Sequence, residues 1–201
     1  MIPYYEKDNI TIYHGNCLKI MKQFEDKSFD LVLTDPPYGT TNAEWDKIPA
    51  KDYFDEIFRV SEKQIIFGGH WFNLPKKDGW IIWNKMPFLK TTNQCELIWT
   101  SFLKKNEIID FRYAGNVVGN KKPDYKRKRV VFTSQKPVEF IEILIKEYTN
   151  ISDIILDPFM GSGTTLIAAK QLKRKAVGIE IIEEYCEIAK QRLEATPVLL
   201  F

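Results

Sequence analysis

Cysteine is scarce in this chain: three occur in 201 residues, at positions 17, 95 and 186. They are odd in number and far apart, and no Cys-x-x-Cys is present. Neither a disulfide framework nor a structural zinc site is readable, so no metal is expected. The compartment expected of such thiols is a reducing cytoplasm. Long apolar runs are also missing. None approaches the roughly 18 residues of a membrane span. The opening stretch MIPYYEKDNI has no basic or apolar region of the kind a signal peptide needs. Excess charge is absent too. Lys and Arg number 29 against 27 Asp and Glu, a net charge of +2. The whole chain is no polycation, so any nucleic-acid footprint must be local. Neither repeats at periods of about 20–50 residues nor low-complexity linkers are found, which leaves a single domain over 1–201 as the expectation.

What is present suits a packed core: 44% hydrophobic and 13% aromatic residues. Short apolar runs alternate with amphipathic stretches. Leu31–Thr34, Gln64–Phe67, Trp80–Trp83, Glu96–Thr100, Val130–Phe132, Asp153–Leu156 and Ala176–Ile179 read as strands. The stretches 52–60, 138–148, 165–172 and 183–193 carry apolar residues at helical spacing. Continuous apolar strands between such helices predict an α/β sandwich with a mostly parallel sheet covered on both faces. Trp80 and Trp83, on one of these strands, are read as core.

Charge is concentrated in one place. Between Ser101 and Lys136 there are ten basic and three acidic residues. Lys121, Lys122, Lys126, Arg127, Lys128 and Arg129 fall within nine positions. Gly115, Gly119 and Pro123 interrupt the stretch, so it reads as a loop or arm. Residues 101–130 are therefore expected to form an inserted basic segment, with a cofactor-binding part over 131–194.

Two motifs carry chemistry. Thr34-Asp35-Pro36-Pro37-Tyr38 closes a predicted strand, at the sheet edge where ligands of open α/β sheets bind. The prolines stiffen the turn and remove donors, leaving carbonyls and the Asp35 carboxylate to accept, with an aromatic face at Tyr38. That combination suits a planar group bearing an amine. The second motif is Asp157-Pro-Phe159-Met-Gly161-Ser-Gly163-Thr164-Thr165, a strand end, a glycine turn and a helix start. The glycines admit a ligand to the backbone, and the helix N-terminus offers free N–H groups. Glu180, at the tip of the next strand and 23 positions after Asp157, is placed for ribose hydroxyls. The loop is neither a Walker A nor a Gly-x-Gly-x-x-Gly sequence.

With these motifs in this order, the chain resembles the amino-group DNA methyltransferases that use S-adenosylmethionine. Asp35-Pro36-Pro37-Tyr38 is similar to their catalytic motif, and residues 157–165 to their cofactor loop. Ser134-Gln135-Lys136-Pro137 and Gly178-Ile179-Glu180 are similar to two further segments. The order, with the basic segment between the catalytic motif and the glycine loop, resembles the family's β group. The resemblance runs from about residue 10 to 194, nearly the whole chain.

The resemblance implies roles. Asp35 and the Pro36 carbonyl would accept from the target amino group, and Tyr38 would stack on a base extruded from the duplex. Asp157 would meet the cofactor's methionine part, with Phe159, Gly161 and Gly163 along its path. Lys136, Thr164 and Thr165 would lie near its carboxylate, and Glu180 would hold the ribose. Asn16 and Cys17 fall in a segment usually written Gly-Asp-Cys, whose Asp faces adenine; here the amide oxygen of Asn16 would accept instead. The basic residues 121–129 would contact phosphates, and Arg127 or Arg129 a guanine. Residues 39–46, with Trp45, are a candidate flap, and His70 and Trp71 could border the pocket; His14 is read as structural. The expected activity is adenine-N6 methylation of double-stranded DNA at a short site, by a homodimer. Cytosine-N4 methylation, an RNA or small-molecule amine as substrate, and a non-catalytic DNA-binding subunit are the alternatives.

Overall fold

The computed structural model describes residues 1–41, 46–86, 93–114, 117–118 and 135–197. The strand predicted at 130–132, the basic residues 121–129, Ser134 and Trp45 lie outside the described residues.

The strands are β1 (Tyr5–Lys7), β2 (Ile10–His14), β3 (Phe29–Thr34), β4 (Ser61–Phe67), β5 (Trp80–Asn84), β6 (Cys95–Thr100), β7 (Glu107–Asp110), β8 (Tyr113–Ala114), β9 (Val117–Val118), β10 (Ile154–Asp157) and β11 (Lys175–Glu180). The helices are α1 (Cys17–Met21), α2 (Lys51–Val60), α3 (Val138–Tyr148), α4 (Thr164–Gln171) and α5 (Glu183–Ala195). Nine strands form one sheet in the order β1-β2-β11-β10-β3-β4-β6-β5-β7, and β8 and β9 make a separate ribbon. Within the large sheet five pairings are parallel and three, β1–β2, β4–β6 and β5–β6, antiparallel. The α/β sandwich with a mostly parallel sheet is thus observed.

Strand alternation divides the core between two faces. Leu31, Leu33, Ile65 and Phe67 point to one face, where Phe140, Leu144, Leu166 and Cys186 of α3, α4 and α5 cover them. Val32 and Ile66 point to the other, under Met21 of α1 and Phe54 and Ile57 of α2. On the first face Trp83 is fully buried and lies flat on Phe140, with ring centroids 4.1 Å apart. Its indole N–H donates to the Phe111 carbonyl at 2.8 Å. No helix among the described residues is long and apolar enough to cross a membrane.

Besides β1, α1, β8 and β9, the elements absent from the sequence reading are β2 and β7. β2 escaped a search for apolar runs because Ile10 and Ile12, both fully buried, alternate with Thr11 and Tyr13. Within residues 101–130, expected as a basic insert, the first part joins the sheet. Residues 107–110 form β7, the sheet's edge strand, parallel to β5. Phe102, Leu103 and Ile109 pack on the core. Charge counting hid this because a two-sided edge strand carries polar residues by design.

What matters for the site is the connectivity around β10 and β3, which are parallel neighbours. From β3 the chain leaves through α2 to β4 on one side; from β10 it leaves through α4 to β11 on the other. The crevice at such a reversal is the binding position of open α/β sheets. Thr34, at the end of β3, donates from its hydroxyl to Asp157 Oδ1 at 2.8 Å, so the two motifs meet there.

Candidate functional site

A cleft of about 590 Å³ opens at this point. Asp35, Pro36, Pro37 and Tyr38 form one wall; Asp157, Phe159, Gly161, Thr164, Thr165 and Glu180 form the other, and Lys136 joins them. Most of the site residues singled out in the sequence, drawn from 35–38, 136 and 157–180, are therefore gathered in one place.

On the first wall both oxygens of Asp35 are engaged. The Tyr38 hydroxyl donates to Oδ1 in a short hydrogen bond. The Lys136 ammonium donates to Oδ2 at 2.7 Å. Burial and the Asp35 carboxylate push the Tyr38 phenol far above its ordinary value, so it stays a neutral donor across the physiological range. Burial alone would lower the Lys136 ammonium; the Asp35 and Glu96 carboxylates outweigh it and hold the group raised. The Lys136 ammonium stands on Asp35, in the same cleft as Thr164 and Thr165, and Pro137 leads the chain on into α3.

Tyr38 is itself held by rings: Trp71 stacks on it with centroids 6.5 Å apart, and Phe72 lies at 6.0 Å. Trp71 is half exposed. His70 is exposed beside it, and the two rings are 5.3 Å apart. Gly68 leaves the room for this arrangement. Its φ is +61°, and a Cβ there would stand 2.4 Å from Tyr38 Cε1. Gly68→Ala is expected to push Tyr38 off Asp35, a shift that the Tyr38 ring resonances of the variant would report.

The second wall is built on the β10–α4 turn. Gly163 caps α4 with φ +78°, and a Cβ there would meet the Ala189 Cβ at 2.8 Å. Gly161 by contrast faces open space, with nothing within 4 Å of where its Cβ would be. Arg192 of α5 braces this turn, donating to the Ser162 carbonyl at 2.5 Å and to its hydroxyl at 2.8 Å. Glu180 accepts from the backbone N–H of Gly161 at 3.0 Å and of Ile182 at 2.8 Å. Burial raises its carboxyl, and these N–H donors offset part of the rise. Asp157 is almost completely buried. Burial lifts its carboxyl to about 6, although Thr165, Thr34 and the Phe159 N–H all donate to it.

Asn16 and Cys17 sit at a smaller depression of about 270 Å³ bordered by Tyr53, Phe159, Glu180 and Ile181. The Asn16 oxygen caps α1, accepting from the Lys19 N–H at 3.1 Å, and its amide donates to the Tyr53 hydroxyl at 3.1 Å. Helix capping thus competes for the oxygen that the sequence reading offered to a ligand. Cys17 is buried, and burial pushes its thiol up to about 12. His14 contacts the Ile181 carbonyl through Nε2 at 3.1 Å. The start of the candidate flap is pinned by Asp46, which accepts from the N–H groups of Gly39 and Thr41 at 2.8 and 2.6 Å. Among the described residues, no group of three or more His, Cys, Asp or Glu is arranged to hold a metal ion.

Sequence reasoning missed Glu96 and Lys85, which stand behind Lys136. Glu96 opens the predicted strand 96–100.

The DNA methylase family model matches residues 89–191, just over half of the chain. Among curated proteins, the type II methyltransferase M2.LlaDCHI of Lactococcus lactis subsp. cremoris is 28% identical over 249 aligned positions, covering 95% of this chain and 91% of that protein. The alignment is longer than this chain, so stretches of that protein have no counterpart here. The type II methyltransferase M2.DpnII of Streptococcus pneumoniae is 27% identical, with 96% and 92% covered. Among solved structures, the M1.HpyAVI–SAM complex superposes with a TM-score of 0.61 at 26% identity, over 92% of this chain and all of that one. PvuII DNA methyltransferase, a cytosine-N4-specific enzyme, superposes with a TM-score of 0.64 at 17% identity, covering 94% and 88%; there the fold alone is shared.

Proposed function

The chain belongs to the DNA methylase family, and from that premise we propose that it transfers the methyl group of S-adenosylmethionine to the N6 amino group of adenine in double-stranded DNA. The observation that carries this reading is the Asp35 carboxylate at the mouth of β3, in one cleft with Asp157 and Glu180.

The cleft suits this cofactor. Gly161 leaves backbone open to a ligand, Asp157 offers an acceptor for an ammonium, and Glu180 lies where ribose hydroxyls would need one. The N-terminus of α4, with Thr164 and Thr165, supplies donors for a carboxylate. Bound there, the cofactor supplies a methyl group already activated by positive sulfur. The protein's part is to prepare the amine. An exocyclic amino group conjugated to its ring is a poor nucleophile. Asp35 and the Pro36 carbonyl, accepting from its two N–H groups, raise electron density on nitrogen and favour a tetrahedral geometry. Positioning and electrostatics are then the chief contributions. Asp35 is assigned as acceptor first and base second. Tyr38, supported by Trp71, is assigned to stack on the extruded base. The aspartate that opens Asp35-Pro36-Pro37-Tyr38 supports adenine over cytosine. Lys121, Lys122, Lys126, Arg127, Lys128 and Arg129 are assigned to phosphate contacts, and a second copy of the chain to completing the grip of so small a reader on the duplex, in a cytoplasmic setting.

The elevated carboxyl of Asp157 gives a pH signature. Below about 6 this group is protonated in the free protein and loses its attraction for a cationic ligand. Binding a cation favours the ionised form, so affinity should be flat above about pH 7 and fall by about tenfold per unit below pH 6. Calorimetric titrations from pH 5 to 8 check this, and Asp157→Asn should remove the pH dependence along with most of the affinity.

The test of the function is mass spectrometry of nucleosides from duplex DNA incubated with the protein and methyl-labelled S-adenosylmethionine. Label in N6-methyladenine is the expected result. Label in N4-methylcytosine would keep the mechanism and overturn the base, and label in neither would overturn the proposal.

A further inference from the structure

Behind Asp35 runs a line of alternating charge that crosses three strands. Lys136 Nζ lies 2.7 Å from Asp35 Oδ2 and 3.6 Å from Glu96 Oε2. Glu96 Oε1 is in turn 2.5 Å from Lys85 Nζ. Lys85 follows β5, Glu96 lies on β6, Lys136 precedes α3 and Asp35 follows β3. None of the four is at the open surface: their side chains are 16, 23, 13 and 26% exposed.

Such a line has no evident reason in the fold. Ion pairs withdrawn from water cost desolvation that their attraction often does not repay, and apolar residues of similar size commonly serve a structure as well. The local setting is in fact apolar and aromatic. The Lys136 ammonium lies 5.0 Å from the Phe67 ring centroid and 6.0 Å from that of Tyr38. The Lys85 ammonium lies 4.9 Å from that of Trp83. Among the described residues, Glu96 Oε2 is buried without a hydrogen-bond partner and faces the Lys136 ammonium as an ion pair at 3.6 Å. A carboxylate left short of a partner in order to face an ammonium makes sense if the ammonium must be held in one place.

We propose that Lys136, anchored by Glu96, is the positioning residue that fixes the Asp35 carboxylate for acceptance from the target amino group. The proposal rests on the methyl-transfer reading above and adds the source of its geometry. A carboxylate at a turn rotates about its side-chain bonds. Here two donors arrive on different oxygens, the Tyr38 hydroxyl on Oδ1 and the Lys136 ammonium on Oδ2, and clamp its plane. Each oxygen keeps a further lone pair for the amine. Asp157 is the remaining charged group of the cleft that Asp35 influences, and it lies on the cofactor side. The position of Lys136 on Asp35 distinguishes this role from that of a cofactor ligand.

The test is a double-mutant cycle read by single-turnover methylation of unmethylated genomic DNA, together with cofactor affinity. Lys136→Met is expected to lower the methylation rate by about 10²-fold, the scale of losing one preorganised electrostatic partner. S-adenosylmethionine affinity should change less than about threefold, and Lys136→Arg should recover much of the rate, since the guanidinium keeps the charge. Glu96→Gln should give a smaller loss. In an Asp35→Asn background, Lys136→Met should cost nothing more, because its effect passes through Asp35. Additive losses, or a fall in cofactor affinity matching the fall in rate, would overturn the proposal. An independent reading comes from the side-chain ammonium resonances of the free protein. A slowly exchanging Lys136 signal should be present and should shift in both Asp35→Asn and Glu96→Gln. Its insensitivity to both would refute the clamp. Absence of methyl transfer by the wild-type protein would strike the function reading, and the resonances would then judge the clamp by themselves.

Discussion

Asp35→Ala is expected to reduce methyl transfer to DNA by about 10³-fold or more while leaving S-adenosylmethionine affinity within about threefold. The rate loss combines two effects of known size. Removing a positioned acceptor or base typically costs about 10²–10⁴-fold. The substitution also frees the Lys136 ammonium and the Tyr38 hydroxyl, which now both donate to that carboxylate. An ammonium facing the incoming amine without the Asp35 carboxylate between them would compete for the nitrogen lone pair and oppose the positive charge that develops on that nitrogen. The affinity should survive because the groups assigned to the cofactor, Asp157 and Glu180, are held by other partners: Thr34 for the first, the Gly161 and Ile182 N–H groups for the second. Single-turnover assays beside calorimetry separate the two quantities. Equal losses in both would show that Asp35 serves the shape of the cleft and not the reaction. Asp35→Asn keeps the size and one acceptor oxygen, so it should retain more activity than Asp35→Ala.

Trp83→Ala is expected to have the largest effect on stability. Trp83 is fully buried, stacked on Phe140, and bonded through its indole N–H to the Phe111 carbonyl. Truncating a buried Trp costs about 3–5 kcal/mol, from lost burial and from the cavity left behind. In a domain of this size each kcal/mol lowers the melting temperature by about 2–4 °C. Urea titration should show an earlier midpoint with an unchanged slope. Trp83 also lies under the Lys85 ammonium, which holds Glu96. Activity measured well below the new melting temperature should therefore fall as well, through the line of charge behind Asp35. Trp83→Phe, which keeps the ring stack and loses the hydrogen bond, should cost much less on both counts.

The helix Val138–Tyr148 is legible to the residue, because Phe140, Ile141, Leu144 and Ile145 recur at helical spacing and all face one core. The strands that carry the cleft are legible for a similar reason: residues covered on both faces must be apolar at every position. Harder to read were β2 and β7. Each lies toward an edge of the sheet, where one face or one side meets water and the sequence alternates. Alternation over four or five residues is too brief a signal to stand out from a loop. The two halves of the cleft were legible as motifs, since each is a contiguous strand end and turn.

By itself, the sequence determined the α/β class and the two motifs that line the cleft. These are local properties. Periodicity follows from burial, and proline, glycine and acidic residues declare the turns they permit. Only the tertiary structure decided which side chains meet. Asp35 and Asp157 approach because β3 and β10 are parallel neighbours at the reversal of strand order, where Thr34 bridges them. Lys136 stands on Asp35, 101 positions away in sequence. Glu96 and Lys85 stand behind it because β6 and β5 pair antiparallel beyond β4. Asn16 spends its oxygen on a helix cap. A charged side chain is compatible with many partners. Its choice among them is made by distance and burial, which the packing of the whole sheet sets and no local stretch of sequence contains.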